Sequence, residues 1–120
     1  MVMLLFMIAV SGWAQNSIDR VVEDFSTVGS STFTSVVERD PDTHKVKKVV
    51  KVLTVPGHQA GKIRDAFIKE KDTGSFMQQQ QGRELTMTLT CENARQARIY
   101  MLRRSASSGK VTIIIKMKKM

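Results

Sequence analysis

Between Arg83 and Cys91 the chain reads RELTMTLTC, with Leu85, Met87, Leu89 and Cys91 at one phase and Thr86, Thr88 and Thr90 at the other. Strict alternation over the seven residues from Leu85 to Cys91 is the period of a β-strand, and no helix face accommodates it. Apolar residues on one side and threonines on the other belong to a sheet whose one face packs on a core while the other meets solvent. The fold must therefore contain an antiparallel sheet covered on one face, and the rest of the chain is read for what covers it.

Three segments carry helical spacing on which a cover can be built. After Asn16 or Ser17 as a cap, Ile18, Val21, Val22, Phe25 and Val28 recur at one helix face, and Gly29-Ser30-Ser31 stops the run. Asp19, Glu23 and Asp24 suit the positive N-terminal end of that helix. A second helix is predicted from about Gln59 to Lys71, with Ala60, Ile63, Ala66 and Phe67 inward. A third is predicted from Asn93, as its cap, to Arg104. It buries Ala94, Ala97, Tyr100 and Met101 and leaves Arg95, Arg98, Arg103 and Arg104 toward solvent.

The remaining segments read as strands. Thr32 to Arg39 and Lys45 to Val55 form a hairpin around Asp40-Pro41-Asp42-Thr43, which is strong turn chemistry. Val46, Val50 and Val52 share one side of the return strand and Lys45, Lys47 and Lys51 the other. Lys48 breaks the pattern and marks an edge or a bulge. Ser75 to Gln81 pairs with Arg83 to Cys91 around Gln81-Gly82, and Lys110 to Lys118 is a last strand burying Val111, Ile113, Ile115 and Met117. The expected fold class is α+β, an antiparallel sheet of about five strands with helices packed on one face, in the order α-β-β-α-β-β-α-β. Two successive hairpin-plus-helix units in that order suggest a weak structural duplication.

With 120 residues there is room for one domain, and the N-terminus reads as something else. Val2 to Val10 (VMLLFMIAV) is an unbroken apolar run, too short for a transmembrane helix. Gly12 and Ala14 fit the small-residue positions of a signal-peptidase site. Residues 1–14 are thus expected to be a signal peptide and 15–120 a single small basic domain. No Lys or Arg precedes the apolar run, which departs from the signal pattern and points to a start upstream. Export places the chain in the periplasm, the outer envelope or outside the cell. The one cysteine, Cys91, lies far from the run, so a lipidated N-terminal cysteine is not expected. Cys91 reads as a buried small hydrophobe, with pairing between chains as the alternative.

The chain carries 19 Lys plus Arg against 11 Asp plus Glu, a formal charge of +8. Such an excess favours anionic partners, and export makes nucleic acid an unexpected one. His44 and His58 have no companion at a metal-ligand spacing, so no metal or cofactor is expected. The serines sit in loop clusters without a nucleophile turn, and Gly57 and Gly61 do not form a phosphate loop. No catalytic constellation is found and no enzyme is expected. The candidate site is instead a flat, cationic, hydrogen-bonding sheet face bearing Lys47, Lys51, Lys116 and Lys118 with Thr86, Thr88, Thr90 and the glutamines. It suits an anionic glycan, an anionic lipid or another envelope protein. The alternatives are an inhibitor or regulatory subunit of a secreted enzyme, and a small hydrolase using Cys91 or a loop serine.

Gln15 to Lys51 (QNSIDRVVEDFSTVGSSTFTSVVERDPDTHKVKKVVK) resembles the small exported proteins of unknown function common in Bacteroides-type gut bacteria. The helix pattern, the Ser-Thr-Val-Gly-Ser-Ser segment and the Asp-Pro hairpin turn carry the resemblance, which covers nearly the whole mature chain. It implies export and a compact α+β fold, and brings no catalytic residues with it.

Overall fold

The computed structural model describes residues 16–118, so the expected signal peptide lies outside the described residues. Helix α1 (Ser17–Ser26) begins with a reciprocal cap: the Asn16 side chain accepts from the Asp19 N–H at 2.9 Å, and the Asp19 carboxylate accepts from the Asn16 N–H at 3.1 Å. Strands β1 (Thr32–Arg39) and β2 (Val46–Pro56) follow as a hairpin. A short 3-10 turn then leads into α2 (Ala60–Glu70), which buries Ala60, Ile63, Ala66 and Phe67 as predicted. Strands β3 (Ser75–Gln81), β4 (Glu84–Glu92), β5 (Gln96–Arg104) and β6 (Ser108–Met117) form a meander. Its last strand closes onto β2, so the six antiparallel strands lie in the order β1-β2-β6-β5-β4-β3.

Turn chemistry holds the hairpins where the sequence placed them. Asp40 accepts from the backbone N–H groups of Thr43 and Asp42, which hold its carboxyl below the usual carboxylate range. Gln81 pairs with Glu84 across a two-residue loop whose first position, Gly82, has φ 59°, as a hairpin turn of that kind requires.

Both helices lie on one face of the sheet and pack on each other, the Ser17 N–H donating to the Glu70 carboxylate at 2.9 Å. Between helices and sheet sits one apolar core that includes Ile18, Val22, Ile63 and Phe67 from the helices and Leu53, Met87, Leu89, Tyr100, Leu102 and Ile113 from the strands. Gly109 lets α2 approach this closely, since a Cβ there would stand 2.8 Å from that of Ala60. Cys91 is a free, buried thiol 3.7 Å from the Thr73 hydroxyl, which fits its reading as a small hydrophobe. Among the described residues no helix is long and apolar enough to cross a membrane.

Three expectations are corrected. The predicted third helix, Asn93 to Arg104, is strand β5, which makes six strands with two helices and removes the second hairpin-plus-helix unit. Ala94, Ala97, Tyr100 and Met101 do fall at helical spacing. However, Gln96, Arg98, Tyr100 and Leu102 alternate inward at strand spacing, and two of these are polar, which hid the period. Asn93 does not cap a helix; its side chain accepts from the Arg95 and Gln96 N–H groups inside the β4–β5 turn. Pairing on both sides, with β4 and β6, settles the strand.

The phase of β2 is the second correction. Val50 and Val52 do share a face, but Val46, beyond the bulge, stands opposite Arg39 on the other; the inward residues are Val49, Leu53 and Val55, and Lys51 lies on the core side opposite Ile113. Valines occur at both phases of this strand, and a one-residue shift moves every side chain to the other face. The third correction concerns Met117, which follows the inward phase of β6 yet is 43% exposed, beyond the reach of the helices.

Candidate functional site

With both helices on one side, the other side of the sheet is open, and the strand register fixes what stands there. Directly opposite residues on neighbouring strands share a face, so rows can be followed across the sheet. One row runs Val36, Val50, Ile114, Ile99, Thr90, Ser75; the next runs Thr34, Val52, Thr112, Met101, Thr88, Met77. Together they lay an apolar band across a face that should be polar throughout. Val36 and Met77, toward its two ends, are 63% and 73% exposed.

Cations flank the band on both sides. On one flank Lys48 stands directly opposite both Lys116 on β6 and Glu38 on β1, and on the other Arg103 stands directly opposite Lys110. Like charges facing each other across a ladder are destabilising, and this face holds two such pairs. Lys48, Lys110 and Lys116 make no ion pair among the described residues, and Arg103 reaches Glu84 only at 4.0 Å. The second flank holds a depression of about 360 Å³ whose lining includes Gln79, Glu84, Thr86, Met101, Arg103 and Lys110. Among the described residues no aromatic ring lies on this face: Phe33, Phe76 and Tyr100 take the inward phase, and Phe25 and Phe67 are on the helices.

Of the four lysines predicted from sequence, the structure brings only two together here. Lys116 is on the open face, and Lys118 follows it, bonded to Glu92 at 3.3 Å. Lys51 is on the helix side of the sheet. Lys47 is the extra residue of a bulge between Glu38 and Arg39, and approaches Glu38 at 3.9 Å. The sequence reading missed Lys48, Lys110 and Arg103. Lys48 was visible as the residue that broke the β2 pattern, and the inward Leu53 and Val55 would have put it on the open side. Arg103 was hidden by the helical reading of β5.

A second cluster sits in the interior. The Asp19 carboxylate accepts from the Arg98 guanidinium at 3.1 Å and from the Tyr100 hydroxyl at 3.2 Å, and Arg98 also donates to that hydroxyl at 3.3 Å. The Asp19 and Arg98 side chains are each 9% exposed. This cluster joins α1 to β5. Burial, reinforced by the Asp19 charge, pushes the Tyr100 phenol well above its ordinary value of 10.0. The unfolded phenol ionises first on raising the pH, so this contribution to stability is intact below pH 10 and is lost as the pH rises through the folded value. Chemical denaturation at intervals above pH 10 should show a falling stability whose slope is shallower in Tyr100→Phe; equal slopes would refute the assignment. Among the described residues no group of three or more His, Cys, Asp or Glu could hold a metal ion.

The fold and the open face define an α+β domain of one sheet with a helical layer on a single side and a cation-flanked apolar band on the other. The chain belongs to the family described as a domain of unknown function (DUF5024), whose match spans residues 15–117. No curated protein and no solved structure gives a significant match.

Proposed function

We propose that this chain is exported to the cell envelope, in the manner of the Bacteroides-type proteins it resembles. There it acts as a non-enzymatic interaction module whose open sheet face docks another envelope protein. The observation that carries this reading is the pair of like-charge contacts, Lys48–Lys116 and Arg103–Lys110, on either side of the apolar band. A free face gains nothing from such contacts, whereas a partner with an apolar stripe between acidic flanks relieves both. Desolvated apolar contact with a charged rim is the anatomy of a protein–protein interface. A glycan fits less well, because sugars are held largely by stacking on aromatic rings and the described residues place none on this face. The depression by Arg103 and Lys110 leaves an anionic sugar as the second reading.

Crosslinking and capture of the tagged chain in its own cells, compared with Ile114→Glu, separates these readings. A protein retained through a high-salt wash by the wild type and lost from the variant is the expected result. Polysaccharide alone, released by salt, would favour the glycan. Identical capture by both forms would remove the open face from the function.

A further inference from the structure

A six-stranded open sheet has two free edges, and here they differ. The β1 edge carries the charges of Glu38 and Arg39 beside the bulge that Lys47 makes in its ladder with β2, and charges on an edge keep it from pairing. The β3 edge has neither. Ser75–Gln81 reads SFMQQQQ, without charge or proline, and pairs with β4 in unbroken register, so its outer backbone groups face solvent along a straight strand. The most exposed large apolar side chain described, Met77 at 73%, sits on this strand.

On a chain of net charge +8, most surfaces repel a second copy. The uncharged β3 edge does not. We infer that β3 is the joint at which two copies of this chain pair, antiparallel, with Gln78 opposite Gln78 about a twofold axis. In that register Met77 lies opposite Gln79, Phe76 opposite Gln80 and Ser75 opposite Gln81, so the glutamine amides can bond to one another across the joint. Residues of like phase meet, which keeps both helical layers on one side and both open faces on the other. Just past the strand ends, Arg83 comes beside the 3-10 turn Lys71–Thr73 of the second copy, which carries Asp72, and the twofold axis repeats this contact. Asp72 and Arg83 are both exposed, and neither makes an ion pair among the described residues. The joint covers Met77 and turns two six-stranded sheets into one of twelve. A seven-residue edge is a small interface, so the dimer is reversible.

Sedimentation velocity of the full chain from about 1 µM to about 1 mM, with hydrogen exchange at both ends of the range, tests this. A monomer–dimer equilibrium is expected, with slower exchange at β3 amides only at the high concentration. Gln78→Lys sets two cations against each other at the axis and should weaken the dimer about tenfold or more. Its side chain is solvent-exposed, so the fold should survive. Asp72→Lys and Arg83→Glu should each weaken association, and the double exchange should restore it. A chain monomeric throughout the range, association unchanged by Gln78→Lys, or protection at β1 in place of β3 would each overturn the proposal.

Discussion

Replacing Asp19 with alanine should cost about 3–5 kcal/mol of folding stability, because it breaks a buried ion pair and removes the carboxylate that Arg98 and Tyr100 share. The same change removes half of the reciprocal cap on α1, whose loss typically adds about 1 kcal/mol. At about 4–8 °C per kcal/mol for a domain of this size, the melting temperature should fall by more than about 10 °C. Arg98→Met should cost less, since it removes the buried cation itself and its apolar chain can occupy part of the space. Combining Arg98→Met with Asp19→Asn retains an acceptor for the Asn16 N–H and should recover most of the loss. Thermal melts of the wild type, Asp19→Asn, Arg98→Met and their combination form a double-mutant cycle, and a coupling energy near zero would show that the pair acts independently. An Asp19→Ala cost below about 1 kcal/mol would mean that water reaches the guanidinium.

The second large effect has opposite signs in two measurements. Lys116→Glu places an acid directly opposite Lys48 and converts a repulsive cross-strand pair into an attractive one. The isolated protein should gain about 0.2–1 kcal/mol from losing the repulsion, with a further increment of similar size from the new attraction. Binding of the captured partner should weaken by roughly tenfold, the effect of losing about 1.4 kcal/mol. Lys110→Glu should behave alike opposite Arg103, and the two reversals should add because the apolar band separates them. Greater stability bought at the expense of binding marks a surface kept for a partner. A variant more stable and equally able to bind would assign these lysines to solubility alone.

How much of this was legible in the sequence depends on how uniquely each segment states its period. β4 alternates apolar residues with threonine and was readable residue by residue. The helices were readable from their spacing, and Asn16 from its distance to Asp19. β5 was not, because Gln96 and Arg98 occupy inward positions where the period needs apolar residues. Only after folding does Asp19, 79 positions away, explain Arg98. β2 was half legible: its identity as a strand was plain, but valine at both phases left its orientation to be set by β6. The site followed suit, since Lys116 came with a well-phased strand, while Lys48 and Arg103 lie on the two segments whose phase or type was misread.

Strand β6 occupies the middle of the sheet, between β2 and β5, although it comes last in the chain. Until Ser108–Met117 has arrived, the hairpin of β1 and β2 has no bond to the rest of the sheet, and Leu53 and Val55 lack the neighbours Val111 and Ile113 that complete their core. Contacts that span half a chain form slowly and late. A polypeptide leaving the ribosome would thus join the two parts of its sheet only when this strand is free, which makes completion of folding a single closing event.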